Sequence, residues 1–147
     1  MGNSNKASLT EMLKKLRPDF CAIELKKLIL PSATSLLDVG CGENSIAKIF
    51  RGRMAKTIGV EIFPEAIEKA KKLGTHDEYH IIDALDIDRL FMAGQIDCVL
   101  CRGTVEHLEK EKAFDLIKKM EKISKKVIII ETTNGFYPQG EFEGNPH

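Results

Sequence analysis

Four consecutive β-branched residues, Val127-Ile128-Ile129-Ile130, constrain this chain more than any other feature. A strand with one wet face alternates polar and apolar side chains, whereas a run without alternation needs both faces covered. That is the texture of a parallel sheet sandwiched between helices. Comparable short runs recur at Ser35-Leu36-Leu37-Asp38-Val39, Thr57-Ile58-Gly59-Val60, Tyr79 to Ile82 and Ile96 to Cys101, so the chain reads as five strands.

Helical stretches separate the strands. Pro64 to Leu73 starts with Pro in its first turn and stops before Gly74, the expected punctuation of a helix. Glu65 with Lys69 and Glu68 with Lys72 are predicted to pair on its solvent face. Glu109 to Ile123 carries a predicted buried stripe of Ala113, Phe114, Leu116, Ile117, Met120 and Ile123. A shorter helical stretch is expected from about Ser45 to Phe50. Before the first strand, Leu9 to Leu30 reads as two short amphipathic helices interrupted at Pro18.

With 147 residues and no repeat or linker, the chain is expected to form one domain: N-terminal helices over 1–33, a core over 34–131 and a tail over 132–147. Lys plus Arg equal Asp plus Glu at 22 each, which is not the basic footprint of a nucleic-acid binder. No apolar run approaches the roughly 18 residues that would cross a membrane, and Met1 to Ser8 is polar. A cytoplasmic protein without membrane or nucleic-acid partners is the expectation. Cys98 and Cys101 form a CxxC inside a predicted strand, where residues three apart face opposite sides, so neither zinc nor redox chemistry is expected. Cys21 and Cys41 read as small buried apolar residues.

In sheets of this kind ligands bind beyond the carboxyl ends of the strands, where the strand order reverses. The first strand ends in Asp38 and the turn Gly40-Cys41-Gly42, the second in Glu61, the third in Asp83-Ala84 and the fourth in Arg102-Gly103-Thr104. Three of the four present an acid. Glycines let the backbone approach a ligand closely. A carboxylate about twenty residues after the turn, as Glu61 is, can take both ribose hydroxyls. Ile62 would cover one face of a purine, and Asp83 would accept from its exocyclic amine. Acids on this scale suit an adenosine-bearing cation without phosphate.

Leu37-Asp38-Val39-Gly40-Cys41-Gly42, Glu61, Asp83-Ala84 and Val105-Glu106-His107-Leu108 together resemble the class I S-adenosylmethionine-dependent methyltransferases, over about Leu36 to Gly135. The resemblance implies a three-layer α/β/α sandwich with a Rossmann-like, mostly parallel sheet in strand order 3-2-1-4-5. It implies that Asp38 and Gly40 hold the methionine end of S-adenosylmethionine, with Cys41 and Gly42 completing the turn. Glu61 would hold the ribose, Asp83 and the backbone of Ala84 the adenine, and the carbonyl of Arg102 the ammonium. The family's third glycine is replaced by Asn44.

A nicotinamide-dependent oxidoreductase is the rival, since Gly40-x-Gly42 with Glu61 downstream partly matches GxGxxG, with Ser45 at the third glycine. Asp38 decides against it, because a carboxylate beside the turn repels a pyrophosphate and attracts a sulfonium or ammonium. Alternatives stand beside the other roles: the glycines serve the turn alone, Asp83 caps the next segment, and Glu106 and His107 either orient a loop or act as a base toward the acceptor. The Asn/Asp-Pro-Pro-aromatic signature for methylating base amines is absent, Arg102-Gly103-Thr104-Val105 standing in its place, so a small-molecule acceptor is expected.

Members of the family continue into sixth and seventh strands, which Glu131 to His147 is too short to form. Thr133 to Gly140 reads as a turn-rich loop. A truncated form that binds cofactor without completing the reaction, or pairing of two copies through the fifth-strand edge, is the corresponding expectation.

Overall fold

The computed structural model describes residues 20–133. The helix predicted before Pro18 falls outside these residues, as does nearly all of the segment read as a turn-rich tail too short for sixth and seventh strands. Within them lie helix α1 (Phe20–Ile29), strands β1 (Ser35–Val39), β2 (Lys56–Glu61), β3 (Glu78–Ile81), β4 (Ile96–Arg102) and β5 (Ser124–Glu131), and helices α2 (Pro64–Leu73) and α3 (Lys110–Ile123). Three 3-10 segments, Ile46–Phe50, Ala84–Arg89 and Val105–His107, follow β1, β3 and β4. The stretch predicted as helix from Ser45 is the first of these, with Ser45 as its cap.

The sheet is five-stranded and wholly parallel in the order β3-β2-β1-β4-β5. The chain runs outward from β1 through β2 to β3, then crosses back to β4 on the other side of β1. The order therefore reverses between β1 and β4.

Alternate residues of the strands divide between two cores. Leu37 and Val39 of β1 pack with Val99 and Cys101 of β4 against Leu116, Met120 and Ile123 of α3. Leu36, Cys98 and Leu100 pack on the opposite face with Leu25 and Ile29 of α1 and with Ala47 and Phe50. This is the three-layer sandwich that non-alternating strands require. The CxxC cysteines belong to opposite cores, because a three-residue step along a strand changes face. Leu36, Leu37, Leu100 and Phe50 are fully buried, and each such side chain stabilises by about 1.5–3 kcal/mol.

The amino ends of β1 and β2 are tied down by the same device. Asp97 Oδ2 accepts from the backbone N–H and hydroxyl of Thr34, both at 2.8 Å, and Asp77 Oδ2 accepts from those of Thr57 at 2.9 and 2.7 Å.

Val127 to Ile130 are covered on both faces as their texture requires, Ile128 and Ile130 by one core and Val127 and Ile129 by the other. Three sequence expectations are corrected. Phe114 is 53% exposed, since at about 100° per residue it lies nearly opposite Leu116 on α3. On α2 the observed ion pairs are Lys71 with Glu68 at 2.9 Å and Lys69 with Glu43, beyond the glycine turn, at 2.7 Å. Cys21 is only partly buried, and its thiol donates to Glu131 Oε2 at 3.3 Å.

Candidate functional site at the strand reversal

A pocket of about 290 Å³ opens at the carboxyl ends of β1 and β4. Asp38, Gly40 and Cys41 line it from the first strand and its turn, Asn44, Ser45 and Ile46 from the following 3-10 segment, and Arg102 and Gly103 from the end of β4. It thus spans the point where the strand order reverses.

Gly40 and Gly42 both take left-handed backbone, at φ +70° and +57°. The turn is pulled onto β2 by Gly40 and Cys41, whose N–H groups donate to the Val60 carbonyl at 2.9 and 3.0 Å. A Cβ at Gly40 would fall 2.1 Å from Thr104 Oγ1, so the loop after β4 sits directly against the turn. At Gly42 a Cβ would meet nothing within 4 Å.

Asp38 is 2% exposed. Ser45 Oγ donates to its Oδ2 and accepts from Ala47 N at 2.9 Å, capping the 3-10 segment. His76 Nε2 approaches the same Oδ2 at 3.1 Å. Both bonds fall on Oδ2, and neither engages the other oxygen of this pocket-lining carboxylate. A glycine at position 45 would supply neither bond, and the carboxylate at this helix start sets a negative charge where a phosphate would need a positive one.

Glu61 is joined to the turn by its own carboxylate. Its Oε2 accepts from Gly42 N at 3.0 Å, and its Oε1 accepts from Ile62 N at 2.8 Å and Phe63 N at 3.2 Å. Three backbone donors therefore hold it beside the glycine turn. The thiol of Cys41, between the two acids, is pushed well above its ordinary pKa by burial first and then by Asp38 and Glu61. Ile62 next to Glu61 is 48% exposed.

Asp83, Ala84, Glu106 and His107 stand at the same end of the sheet outside the pocket lining, to which Arg102 belongs. Asp83 Oδ1 accepts from Leu85 N at 2.9 Å, so it does cap the Ala84–Arg89 segment. Ala84 packs on the core beneath α3. Arg102 pairs through Nε with Glu131 Oε2 at 2.8 Å, bridging β4 to β5. Glu106 and His107 lie in the Val105–His107 segment, and Glu106 Oε2 accepts from Thr132 Oγ1 at 3.2 Å. Among the described residues no group of three or more His, Cys, Asp or Glu is arranged to hold a metal, and no helix is long and apolar enough to cross a membrane.

Sequence reasoning brought together Asp38, Gly40, Cys41, Gly42, Glu61 and Arg102 and missed His76. One signal pointed to it: Gly59 lies in the middle of β2, where a glycine marks the close approach of another group.

A family described as "Methyltransferase domain" matches residues 37–129. An uncharacterized RNA methyltransferase of Listeria innocua is 38% identical over 47 residues, 32% of this chain and 10% of the relative. Among solved structures, a SAM-dependent methyltransferase of Archaeoglobus fulgidus superposes with a TM-score of 0.62 at 21% identity, covering 84% of this chain and 57% of that one. The sugar N-methyltransferase KedS8 of a Streptoalloteichus species gives 0.63 at 22%, covering 88% and 56%. Magnesium protoporphyrin IX methyltransferase of Synechocystis, solved with bound SAM, gives 0.60 at 15%, covering 87% and 64%. The chain thus spans a tenth of that curated relative and somewhat over half of these solved chains. The family match begins in β1, ends in β5 and includes the glycine turn, the acids and the strand reversal, so the chain belongs to the S-adenosylmethionine-dependent methyltransferase family.

Proposed function

We propose that this domain holds S-adenosylmethionine in the pocket at the strand reversal and directs its methyl group to a small-molecule acceptor. One observation carries the reading: a pocket between the glycine turn and the end of β4, lined by the buried Asp38, whose Oδ2 alone is taken up by Ser45 and His76. The donor set fits the cofactor, being acidic where the ligand is cationic and free of side chains at Gly40 and Gly42.

In this reading Asp38, Gly40, Cys41 and Gly42 take the methionine end, and the carbonyl of Arg102 accepts from the ammonium. Glu61 accepts from the ribose hydroxyls with the lone pairs its backbone bonds leave. Ile62 covers the purine, while Asp83 and the backbone of Ala84 read its amine edge. The cofactor supplies a methyl group already activated on a sulfonium. The chain's task is then alignment and exclusion of water, for which no strong base is required. Glu106 and His107, beside the end of β4, border the side from which an acceptor would approach, and they orient it or take its proton.

Calorimetric titration with S-adenosylmethionine and with NAD tests the cofactor, and binding of NAD alone would overturn the reading. Glu61→Ala is expected to weaken S-adenosylmethionine binding by about 1–3 kcal/mol, the cost of a lost charged hydrogen-bond partner. Unchanged affinity would remove the ribose role.

The balanced charge of the chain supports a small acceptor. The likeness to an RNA methyltransferase over 47 residues supports RNA as a second reading. Transfer of labelled methyl groups to a small-molecule panel and to total RNA separates the two. Cofactor binding with transfer to neither would favour a domain that needs further residues for its acceptor.

A further inference from the structure

The pocket carboxylate is held from behind by a buried histidine. His76 is 2% exposed, and its Nε2 stands 3.1 Å from Asp38 Oδ2 while its Nδ1 stands 2.9 Å from Thr75 Oγ1. Its backbone N–H donates to Tyr79 OH at 2.8 Å, and that hydroxyl donates to the Ala70 carbonyl at 3.1 Å. With a proton on Nε2 the ring donates to the carboxylate, while Nδ1 shares a hydrogen bond with the Thr75 hydroxyl.

Room for this ring comes from Gly59, the β2 residue in register with Asp38. A Cβ there would fall 2.9 Å from His76 Nδ1 and 3.1 Å from its Cε1. A mid-strand glycine is destabilising relative to alanine. An apolar side chain at 76 with alanine at 59 would fill the space without that cost and without desolvating an imidazole. What the imidazole adds is a directed donor to Asp38.

We propose that His76 is a positioning residue for the amino-acid end of S-adenosylmethionine: it fixes Asp38 so that Oδ1 faces the pocket, and it does not itself touch the ligand. The inference rests on the reading that Asp38 meets the methionine end of the cofactor. It differs from a packing role in one measurable way, since it affects only ligands that possess that end.

The test compares wild type, His76→Leu, His76→Gln and His76→Asn in the full chain, titrated with S-adenosylmethionine and with 5′-methylthioadenosine, which keeps the adenosine and thioether but lacks the amino-acid end. His76→Leu is expected to weaken S-adenosylmethionine about tenfold or more, the scale of a lost hydrogen bond to a charged group, with 5′-methylthioadenosine changed by less than about twofold. His76→Gln extends an N–H to the Nε2 position and is expected to restore affinity to within about threefold of wild type. His76→Asn reaches only the Nδ1 position and is expected to behave like His76→Leu. If the leucine variant does not fold, the glutamine and asparagine variants carry the comparison. Equal losses for both ligands, or equal S-adenosylmethionine affinity in the glutamine and asparagine variants, overturn the inference. Failure of the wild-type chain to bind S-adenosylmethionine overturns the cofactor reading, and this inference with it.

Discussion

Gly59 and His76 compete for one volume: a Cβ at position 59 would lie 2.9 Å from His76 Nδ1 and 2.9 Å from Cys41 Sγ. The absent side chain in β2 is what lets the imidazole reach Asp38 on the neighbouring strand. Alanine normally favours a strand over glycine, yet here it would press on a ring held at both nitrogens. Gly59→Ala is therefore expected to destabilise the fold by about 1–3 kcal/mol, the range for overpacking a filled core. Urea unfolding measures this, and a variant more stable than wild type would contradict the packing described.

The two turn glycines should respond differently to alanine. At Gly40 the new Cβ meets Thr104 Oγ1 at 2.1 Å, so both the turn and the loop after β4 must shift, and cofactor binding should be lost along with stability. At Gly42 the space is open, and only the left-handed backbone opposes a side chain, at about 1–2 kcal/mol. Thermal unfolding and S-adenosylmethionine titration of Gly40→Ala and Gly42→Ala compare them. Equal effects would argue against the close approach of Thr104.

Asp97 should give the chain part of its acid sensitivity. The backbone and hydroxyl bonds from Thr34, aided by Lys126, hold its carboxyl at about 2, below the ordinary 3.8. Between these values the unfolded chain binds a proton that the folded chain does not, so this stabilisation is complete above about pH 4 and is lost as pH falls toward about 2. Asp97→Asn should flatten the fall in unfolding free energy across that window. A slope identical to wild type would show that the carboxylate contributes nothing there.

Thiol labelling should separate Cys21 from the other three cysteines. Burial pushes Cys98 up to about 12 and Cys101 to about 11, and it raises Cys41 as well. The thiolate is the reactive form, so all three should resist a disulfide reagent at pH 8 in the native state. Cys21, partly exposed, should react first. Rapid native-state modification of Cys98 or Cys101 would mean that the sheet opens more readily than its packing suggests.

The strands were legible because burial on both faces leaves a mark on composition, and the glycine turn because left-handed backbone beside a ligand admits few residues. Helix α2 was legible to the residue, since Pro64 and Gly74 punctuate it. Phe114 was misjudged because it is apolar and near the stripe in sequence, although the 3.6-residue period carries it away from Leu116. The ion pairs of α2 were misassigned for a related reason. Local spacing offered Glu65 to Lys69, while the fold brings Glu43 within 2.7 Å of the same lysine.

His76 shows the limit most clearly. It sits 38 residues from Asp38, beyond any periodicity or spacing rule, in the connection from α2 to β3, and the parallel pairing of β3 with β2 and of β2 with β1 brings it to that carboxylate. The sequence by itself determined the layers, the turn and the acids at the strand ends, because each depends on local backbone chemistry and on which residues avoid water. The tertiary structure alone decided which oxygen of Asp38 meets Ser45 and His76, which glycine makes room for a ring and which lysine meets which acid. These depend on contacts between segments that approach one another only after the sheet has formed.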